Sequence, residues 1–208
     1  LYGSAVRDWV YDEAKFVETA RRLEKPGRFQ HSMNVADRAE ELAGIYGENP
    51  YLCRIAGILH DVCKNLPEEE QFSLVKRLRG PIKNDIMNDN SFGLVPPIWH
   101  GPAAAAYIWE TLGVYNREIL YGVAYHTTGR TGMSLFEKIV YIADLTSAER
   151  DYPDALEVRE LADRDLDAAL RCSLEFTLKK MRASATPMTC GNMALTAGNI
   201  ADGKEEME

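Results

Sequence analysis

The chain has 208 residues, of which 46% are hydrophobic and 27% charged, and its formal net charge is −8. This composition is that of an ordinary globular protein, and the length suffices for one substantial hydrophobic core. The acidic balance argues against a long nucleic acid as the main partner, because phosphate backbones are bound chiefly by Lys and Arg. No run of about 18 apolar residues occurs, so we expect no segment that spans a membrane.

Apolar residues recur at helical spacing almost throughout, and no stretch shows the alternation of a half-buried strand. Helices are predicted at about residues 4–23, 29–46, 50–63, from 67 onward, 100–112, 116–125, 134–145, 153–163 and 166–182. Pro26 and Gly27 are expected to end the first helix. Residues 80–97 are rich in Pro, Gly, Asn and Asp and are predicted to form a long loop. Residues 184–208 are predicted to form a loosely ordered tail.

Several helix ends carry clear local signals. Gly47 is a typical C-terminal residue, and the Asn49-Pro50 pair suits a helix start. The segment from Ser134 to Glu137 has the pattern of a capping box, in which each side chain binds the backbone of the other residue. These signals predict the end of one helix and the starts of two others that carry candidate site residues.

The four cysteines have neither the spacing of a metal site nor a compact disulfide pattern. Two of them lie in apolar helical stretches, where a thiol behaves as a small hydrophobic group. We therefore expect reduced thiols and a cytoplasmic location. The cysteines are Cys53, Cys63, Cys172 and Cys190.

The chain contains four histidines, and each lies near the beginning or end of a predicted helix. His60 is followed at once by Asp61, and Asp144 interrupts an otherwise apolar stretch at residues 139–145. A carboxylate buried there is costly without a partner, and a metal ion is such a partner. The candidate metal ligands are His31, His60, Asp61, His100, His126 and Asp144.

Imidazole and carboxylate ligands without a thiolate suit a borderline or hard divalent ion. Six ligands exceed what one ion takes while keeping a position open for water, so we predict two ions that share Asp61, about 3.5–4 Å apart. Iron is the first choice, with manganese, cobalt or magnesium as alternatives.

The order of these residues along the chain is that of an HD-superfamily site, and the surrounding motifs resemble the YqeK group of HD hydrolases, the symmetrical bis(5′-nucleosyl)-tetraphosphatases. The resemblance covers about residues 5–182, and the His-Thr-Thr-Gly-Arg run is its most specific part. The motifs are Arg-Phe-Gln-His at 28–31, Gly-Ile-Leu-His-Asp-x-x-Lys at 57–64, His-Gly at 100–101, Tyr-His-Thr-Thr-Gly-Arg at 125–130 and Glu-Lys-Ile-Val-Tyr-x-Ala-Asp at 137–144.

The resemblance implies an all-α HD-domain helical bundle with a dinuclear metal site, formed by a single phosphohydrolase domain at residues 1–183. It implies a cytoplasmic bacterial enzyme that cleaves diadenosine tetraphosphate symmetrically to two ADP by metal-activated water. It also implies that His31, His60, Asp61 and Asp144 hold the first ion, and that His100 and His126 join Asp61 at the second. The chain departs from the group's pattern at Ser147 and Ala148, where a Glu-Pro pair is expected.

Asp61 and Lys64 are the predicted catalytic residues, since the ammonium of Lys64 lies about one helical turn beyond the His-Asp pair. Hydroxyl, backbone N–H and guanidinium groups further along the chain are predicted to bind phosphate. Each has an ordinary alternative role: a Lys that complements a helix end, a polar loop or an exposed salt bridge. The predicted phosphate contacts are Lys64, Thr127, Thr128, Gly129, Arg130 and Arg150.

Other functions stay open at this point. An HD-type nucleotidase or a guanosine-polyphosphate hydrolase would use the same core residues, and fold analogy cannot choose among such substrates. An inactive HD scaffold or nucleotide sensor is the alternative that is not an enzyme, and a di-iron oxidoreductase is a more distant one. The expected partner is a small nucleotide, with neither nucleic acid nor membrane, and the supply of apolar helical faces leaves a homodimer open.

Overall fold

The computed structural model describes residues 10–87 and 96–184 of the chain. Within these ranges the structure contains ten α-helices and no strand, which confirms the all-α prediction. A short 3₁₀ turn at Pro96–Ile98 precedes the sixth helix. In chain order the helices α1–α10 are Glu13–Leu23, Pro26–Tyr46, Pro50–Leu59, Glu68–Arg77, Gly80–Met87, His100–Leu112, Arg117–Tyr125, Leu135–Thr146, Pro153–Ala162 and Leu166–Ser184.

The third helix lies at the centre of the bundle. It packs against α1, α2, α7 and α8. Ile55, Ile58 and Leu59 are fully buried, and burying each such side chain contributes about 1.5–3 kcal/mol. The helix ends at Leu59, earlier than predicted, and residues 60–65 form turns. The C-terminal end of α3, where the His-Asp pair follows, therefore lies inside the protein.

The predicted helix-end signals are confirmed. Gly47 ends α2 in the left-handed conformation, with φ of 73°. The Asn49 side chain accepts a hydrogen bond from the backbone N–H of Leu52 at 3.1 Å. Ser134 and Glu137 form the predicted capping box at the start of α8. These caps satisfy backbone groups that a helix leaves unpaired at its ends.

The beginnings of α1 and α2 differ from the prediction. The backbone of Tyr11 is hydrogen-bonded to the hydroxyl of Tyr51, so α1 starts only at Glu13; residues 4–9 of the predicted helix lie outside the described ranges. The second helix begins at Pro26, three residues earlier than predicted. Proline suits the first turn of a helix because its missing N–H would be unpaired there. The earlier start brings Arg28 into the first turn of α2.

The predicted loop at residues 80–97 is wrong in its first half, where α5 spans Gly80–Met87. Ile82 and Ile86, four residues apart, lie on one helical face and are buried, with 2% and 3% exposure. Gly80 starts this segment with φ of 69°, and Pro81 fits its first turn. The loop prediction rests on the Pro, Asn and Asp residues and leaves out the helix-stabilising burial of these two isoleucines. The rest of the predicted loop at 88–95 lies outside the described ranges.

The division into a domain at residues 1–183 and a tail stays a prediction, because residues 185–208, which include Cys190, lie outside the description. Cys53, Cys63 and Cys172 are free thiols, as expected. Among the described helices, none is both long and apolar enough to cross a membrane.

We predict that Gly57→Ala destabilises the fold. A Cβ atom at Gly57, in α3, would lie 2.5 Å from the Ala36 Cα and 2.7 Å from its N, both backbone atoms of α2. The two helices would have to separate, which costs about 1–3 kcal/mol of unfolding free energy, measurable by urea denaturation.

The matched control is Gly44→Ala on the exposed face of α2, where a Cβ meets nothing within 4 Å. This change should stabilise the protein by up to about 1 kcal/mol, because Ala favours the helix more than Gly does. Equal effects of the two substitutions would contradict the close approach of α2 and α3.

Candidate metal centre

All six predicted metal ligands lie together inside the bundle. Two follow directly after α3, one follows α7, one begins α6, and the others lie within α2 and α8. The imidazole ring centroids are 5.3 Å apart for His31 and His60, 4.8 Å for His60 and His126, and 4.9 Å for His126 and His100. Five of the six residues expose at most 6% of their surface. In the order of the chain the six are His31, His60, Asp61, His100, His126 and Asp144.

The four imidazoles are oriented by hydrogen bonds from Nδ1. The Nδ1 of His31 contacts the carboxylate of Glu149, and the other three bind a backbone carbonyl three residues earlier. An imidazole held by a hydrogen bond at Nδ1 directs its Nε2 the opposite way, so all four rings direct Nε2 toward the cluster. The backbone pairs are His60 with Gly57 at 2.7 Å, His100 with Pro97 at 2.9 Å and His126 with Val123 at 2.8 Å.

Asp61 lies at the centre of this cluster. Its Oδ1 is 3.3 Å from the Nε2 of His100 and 3.5 Å from that of His126. Its Oδ2 is 3.5 Å from the Nε2 of His60 and 2.8 Å from the Nη1 of Arg28. Burial alone would raise the pKa of Asp61, but the neighbouring imidazoles, His60 foremost, hold this pKa well below its usual range. Asp61 is therefore a carboxylate at neutral pH.

The histidines respond differently to the same surroundings. Burial favours neutral His60, but the carboxylates of Asp61 and Asp144 overcome it and raise its pKa to about 9. Burial, with the neighbouring His126, lowers the pKa of His100 to about 3, so His100 is neutral at pH 7. Its Nε2 lies 3.1 Å from the Nε2 of His126. Two lone pairs at that distance repel each other unless a proton or a metal ion lies between them.

Asp144 closes the other side of the cluster. Its Oδ1 lies 3.0 Å from the Nε2 of His31 and 3.1 Å from the Nη2 of Arg150. Burial alone would raise the pKa of Asp144, but the contact with His31 and the nearby His60 lower it below its ordinary value. This carboxylate is also ionised at neutral pH.

The residues fit divalent metal ions. Within three overlapping groups, the ligand atoms lie within 4.8 Å of one another. Among the described residues, the buried Nε2 atoms of His31 and His60 and Oδ1 of Asp61 have no hydrogen-bond partner of normal geometry. Oxygen and imidazole nitrogen ligands suit a divalent ion of borderline or hard character. The groups are His31, His60 and Asp61; His60, His126 and Asp144; and Asp61, His100 and His126.

Three of the predicted phosphate contacts lie beside this cluster. The Nζ of Lys64 lies 3.2 Å from the Nε2 of His100, and the hydroxyl of Thr127 lies 3.0 Å from the same atom. Arg150 reaches Asp144, as described above. Burial lowers the pKa of Lys64. These groups form a polar wall next to the predicted ligands.

The other three predicted contacts are engaged elsewhere. Thr128 donates its hydroxyl to the carbonyl of Gly129 at 3.0 Å. Arg130 forms two bonds of 2.6 Å to the buried carboxylate of Glu137 and lies over the ring of Tyr121. The described contacts of these residues do not include the six ligands, so their phosphate role stays a prediction.

The structure adds two residues to the site that sequence reasoning missed, Arg28 and Glu149. Arg28 lies three residues before His31 on the same face of α2, which the predicted helix start at residue 29 concealed. Its side chain is 33% exposed, so the guanidinium faces both Asp61 and solvent. No spacing signal connects Glu149 to His31, because their contact depends on how α8 packs against α2.

Comparison with known proteins identifies the family to which the chain belongs. A family model described as the HD domain matches residues 28–149, which include all six predicted ligands. A Clostridium acetobutylicum crystal structure, described as a predicted HD superfamily hydrolase involved in NAD metabolism, superposes with a TM-score of 0.80 at 30% identity. The superposition covers 93% of this chain and 100% of that one.

Three curated relatives, 34–36% identical to this chain, carry the name symmetrical bis(5′-nucleosyl)-tetraphosphatase. The Bacillus subtilis protein is 36% identical over 73% of this chain and 77% of its own length. The Staphylococcus aureus protein is 34% identical over 70% of this chain and 74% of its own length. The chain therefore belongs to the HD domain family and, within it, to the group of hydrolases formed by the symmetrical bis(5′-nucleosyl)-tetraphosphatases.

Proposed function

We propose that this protein hydrolyses diadenosine tetraphosphate symmetrically to two ADP, using two divalent metal ions held by the His/Asp cluster. The observation that carries the proposal is the overlap of three ligand groups, in which Asp61, His60 and His126 each belong to two. Overlapping groups support two neighbouring ion positions rather than one. The names of the relatives support the dinucleotide as substrate.

The proposed ion sites follow the two ends of the cluster, with Asp61 between them. Iron is the first choice for both, with manganese, cobalt or magnesium as alternatives, since imidazole and carboxylate ligands suit several of these ions. The first site would use His31, His60 and Asp61, which form one of the three groups, together with Asp144, as the family resemblance implies; the second would use the group of Asp61, His100 and His126.

When bound, such ions supply positive charge to phosphate oxygens and increase the acidity of water. The protein adds three cationic side chains at the same place: Arg28 beside Asp61, Lys64 beside His100 and Arg150 beside Asp144. Guanidinium groups bind phosphate through paired N–H donors, and an ammonium group acts as a compact charge. Although the chain as a whole is acidic, these three cations give the site the positive charge that binding a polyphosphate requires.

In symmetrical hydrolysis, the oxygen of water forms a bond to one of the two central phosphorus atoms. The bond from that phosphorus to the central bridging oxygen breaks, and the departing ADP carries the bridging oxygen and its negative charge. Lys64 and the arginines can stabilise this charge, because fixed donors in a buried site need little reorganisation. The hydroxyl of Thr127 can donate to a phosphate oxygen.

Thr128, Gly129 and Arg130 belong to the proposal as contacts of the outer phosphates. Arg130 would keep one of its bonds to Glu137 and turn the other N–H groups toward substrate. The backbone φ of Gly129 is 60°, a left-handed conformation that glycine adopts readily. This conformation shapes the turn between α7 and the capping box of α8.

An HD-type nucleotidase or guanosine-polyphosphate hydrolase would use the same ligands, but the similarity to the tetraphosphatases favours the dinucleotide. The inactive scaffold is disfavoured because all six ligand positions carry ligand-type side chains that come together. The three cysteines that the structure describes are free thiols, which fits the proposed cytoplasmic location. The proposed partner is a small nucleotide, without nucleic acid or membrane, and a homodimer stays a prediction.

The proposal predicts ADP as the single product. Protein purified without oxygen and loaded with Fe²⁺ or Mn²⁺ should convert diadenosine tetraphosphate to ADP, and a chelator should stop the reaction until the ion is restored. Chromatographic separation identifies the products. ATP plus AMP would contradict symmetrical cleavage, and turnover of mononucleotides alone would favour the nucleotidase.

Asp61→Asn serves as the inactive reference in this assay, with a loss of activity of at least about 100-fold. Mutating a residue that is only hydrogen-bonded to a metal ligand already lowers metal affinity or activity by about 10- to 100-fold. Asp37→Asn is the matched control. Asp37 is 68% exposed and pairs with Arg54 on the outside of the bundle.

Arg28→Ala should reduce kcat/KM by about 10- to 100-fold, because the guanidinium beside Asp61 would no longer meet the phosphate. In the metal-loaded protein the thermal stability should stay nearly unchanged, because bound ions would balance the Asp61 carboxylate that Arg28 pairs with; the metal-free variant should be less stable than the metal-free wild type. Steady-state kinetics and thermal unfolding measure the two effects.

The control is Arg21→Ala, which removes a 60% exposed guanidinium paired with Glu18. This variant should retain the kcat/KM of the wild type. A similar loss in both variants would point to overall charge rather than to a contact of Arg28 with the substrate.

A further inference from the structure

His31 differs from the other three histidines in the partner of its Nδ1. His60 and His126 directly follow helices, where the last carbonyls of a helix have no partner in the helix and can accept from an imidazole. His31 lies inside α2, where the carbonyl three residues earlier already belongs to the helical hydrogen-bond ladder. An imidazole in the middle of a helix therefore needs an acceptor from another element. Glu149 provides it.

The carboxylate of Glu149 is itself held in place by three bonds. Its Oε1 accepts from the Nδ1 of His31 and from the hydroxyl of Ser147, the latter at 2.8 Å. Its Oε2 accepts from the side-chain amide of Asn34 at 2.6 Å. Both carboxylate oxygens of Glu149 are thus fixed as hydrogen-bond acceptors.

The loop that carries Glu149 is fixed from its other side by Arg159 of α9. The Nε of Arg159 donates to the carbonyl of Thr146 at 2.9 Å, and the Nη2 of the same side chain donates to the carbonyls of Ser147 and Arg150 at 2.7 and 2.8 Å. These bonds satisfy carbonyls at the end of α8 and in the loop that follows. The loop thus presents Glu149 to His31 and Arg150 to Asp144 at the same time.

We infer that Glu149 is a positioning residue, which orients His31 and increases the basicity of its Nε2 for a divalent metal ion. The inference rests on the proposed function, because it assigns Glu149 to the first of the two proposed ion sites. A carboxylate hydrogen-bonded to the far nitrogen of a ligating histidine fixes its tautomer and ring orientation and strengthens the ligand. Glu149 and the bonds of Arg159 give the loop after α8 a role in metal binding.

A purely structural role would be different. In that case Glu149 would only tie the loop to α2 through Asn34 and His31. Its loss would lower the stability of the metal-free protein, and metal affinity would fall no further than this loss of stability explains. Glu149→Gln separates the two roles, because the amide oxygen still accepts one hydrogen bond while the negative charge is lost.

The test measures Co²⁺ and Mn²⁺ binding to chelator-treated full-length protein, by calorimetry and by the visible absorption of bound Co²⁺. Glu149→Gln should weaken one binding step by about 10- to 100-fold and change the Co²⁺ spectrum. Thermal unfolding of the same chelator-treated variant should match that of the wild type. Asn34→Ala, which leaves the bond between Glu149 and His31, should have the smaller effect on affinity.

The effect should also depend on His31. In a His31→Ala background, Glu149→Gln should cause no further loss of affinity, because its action passes through that imidazole. An equal further loss in that background would overturn the inference, as would wild-type affinity in the single variant. If the wild type itself binds no metal, the proposed function and this inference fail together. If the wild type binds metal and Glu149→Gln binds it equally well, the proposed function stands and the inference fails.

Discussion

The carboxylate of Asp61 is buried among imidazoles, and the charge balance around it governs the interior of the bundle. Taking an ion out of water costs several kcal/mol unless opposite charge and hydrogen bonds compensate. Arg28 supplies part of that compensation at 2.8 Å, and the raised pKa of His60 shows that the same place favours a further positive charge. Metal ions would meet this requirement more fully than protons, because each would also be coordinated by lone pairs of the surrounding Nε2 atoms.

The fold creates this environment by ending apolar helices inside the protein. Because residues 55–59 at the end of α3 are all buried, residues 60–63 that follow are buried as well, and the carbonyl of Gly57 becomes the acceptor for His60. The close approach of α3 to α2 at Gly57 brings His31 toward His60. The same arrangement recurs where His126 follows α7. Backbone groups that a helix leaves unpaired thus orient the ligands, and His31, inside its helix, uses a carboxylate instead.

Much of this could be predicted from sequence, because the information is local. Helical periodicity gave the fold class, and the capping box at Ser134 fixed the start of α8. The order of the His and Asp residues, together with the family resemblance, gave a ligand set that the structure brings together. Residue preferences alone missed α5, where two buried isoleucines outweigh Pro and Asn. Arg28 was missed through a helix boundary, and Glu149 because its contact with His31 spans 118 residues.

The central claim is that two metal ions lie on either side of Asp61. The most direct measurement is an anomalous difference map from crystals soaked in Mn²⁺. Two peaks are predicted, one bound by His31, His60 and Asp144 and the other by His100 and His126, with Asp61 reaching both. A single peak would contradict the dinuclear site. No peak at the cluster, with Mn²⁺ on exposed acidic residues instead, would contradict metal binding by these residues altogether.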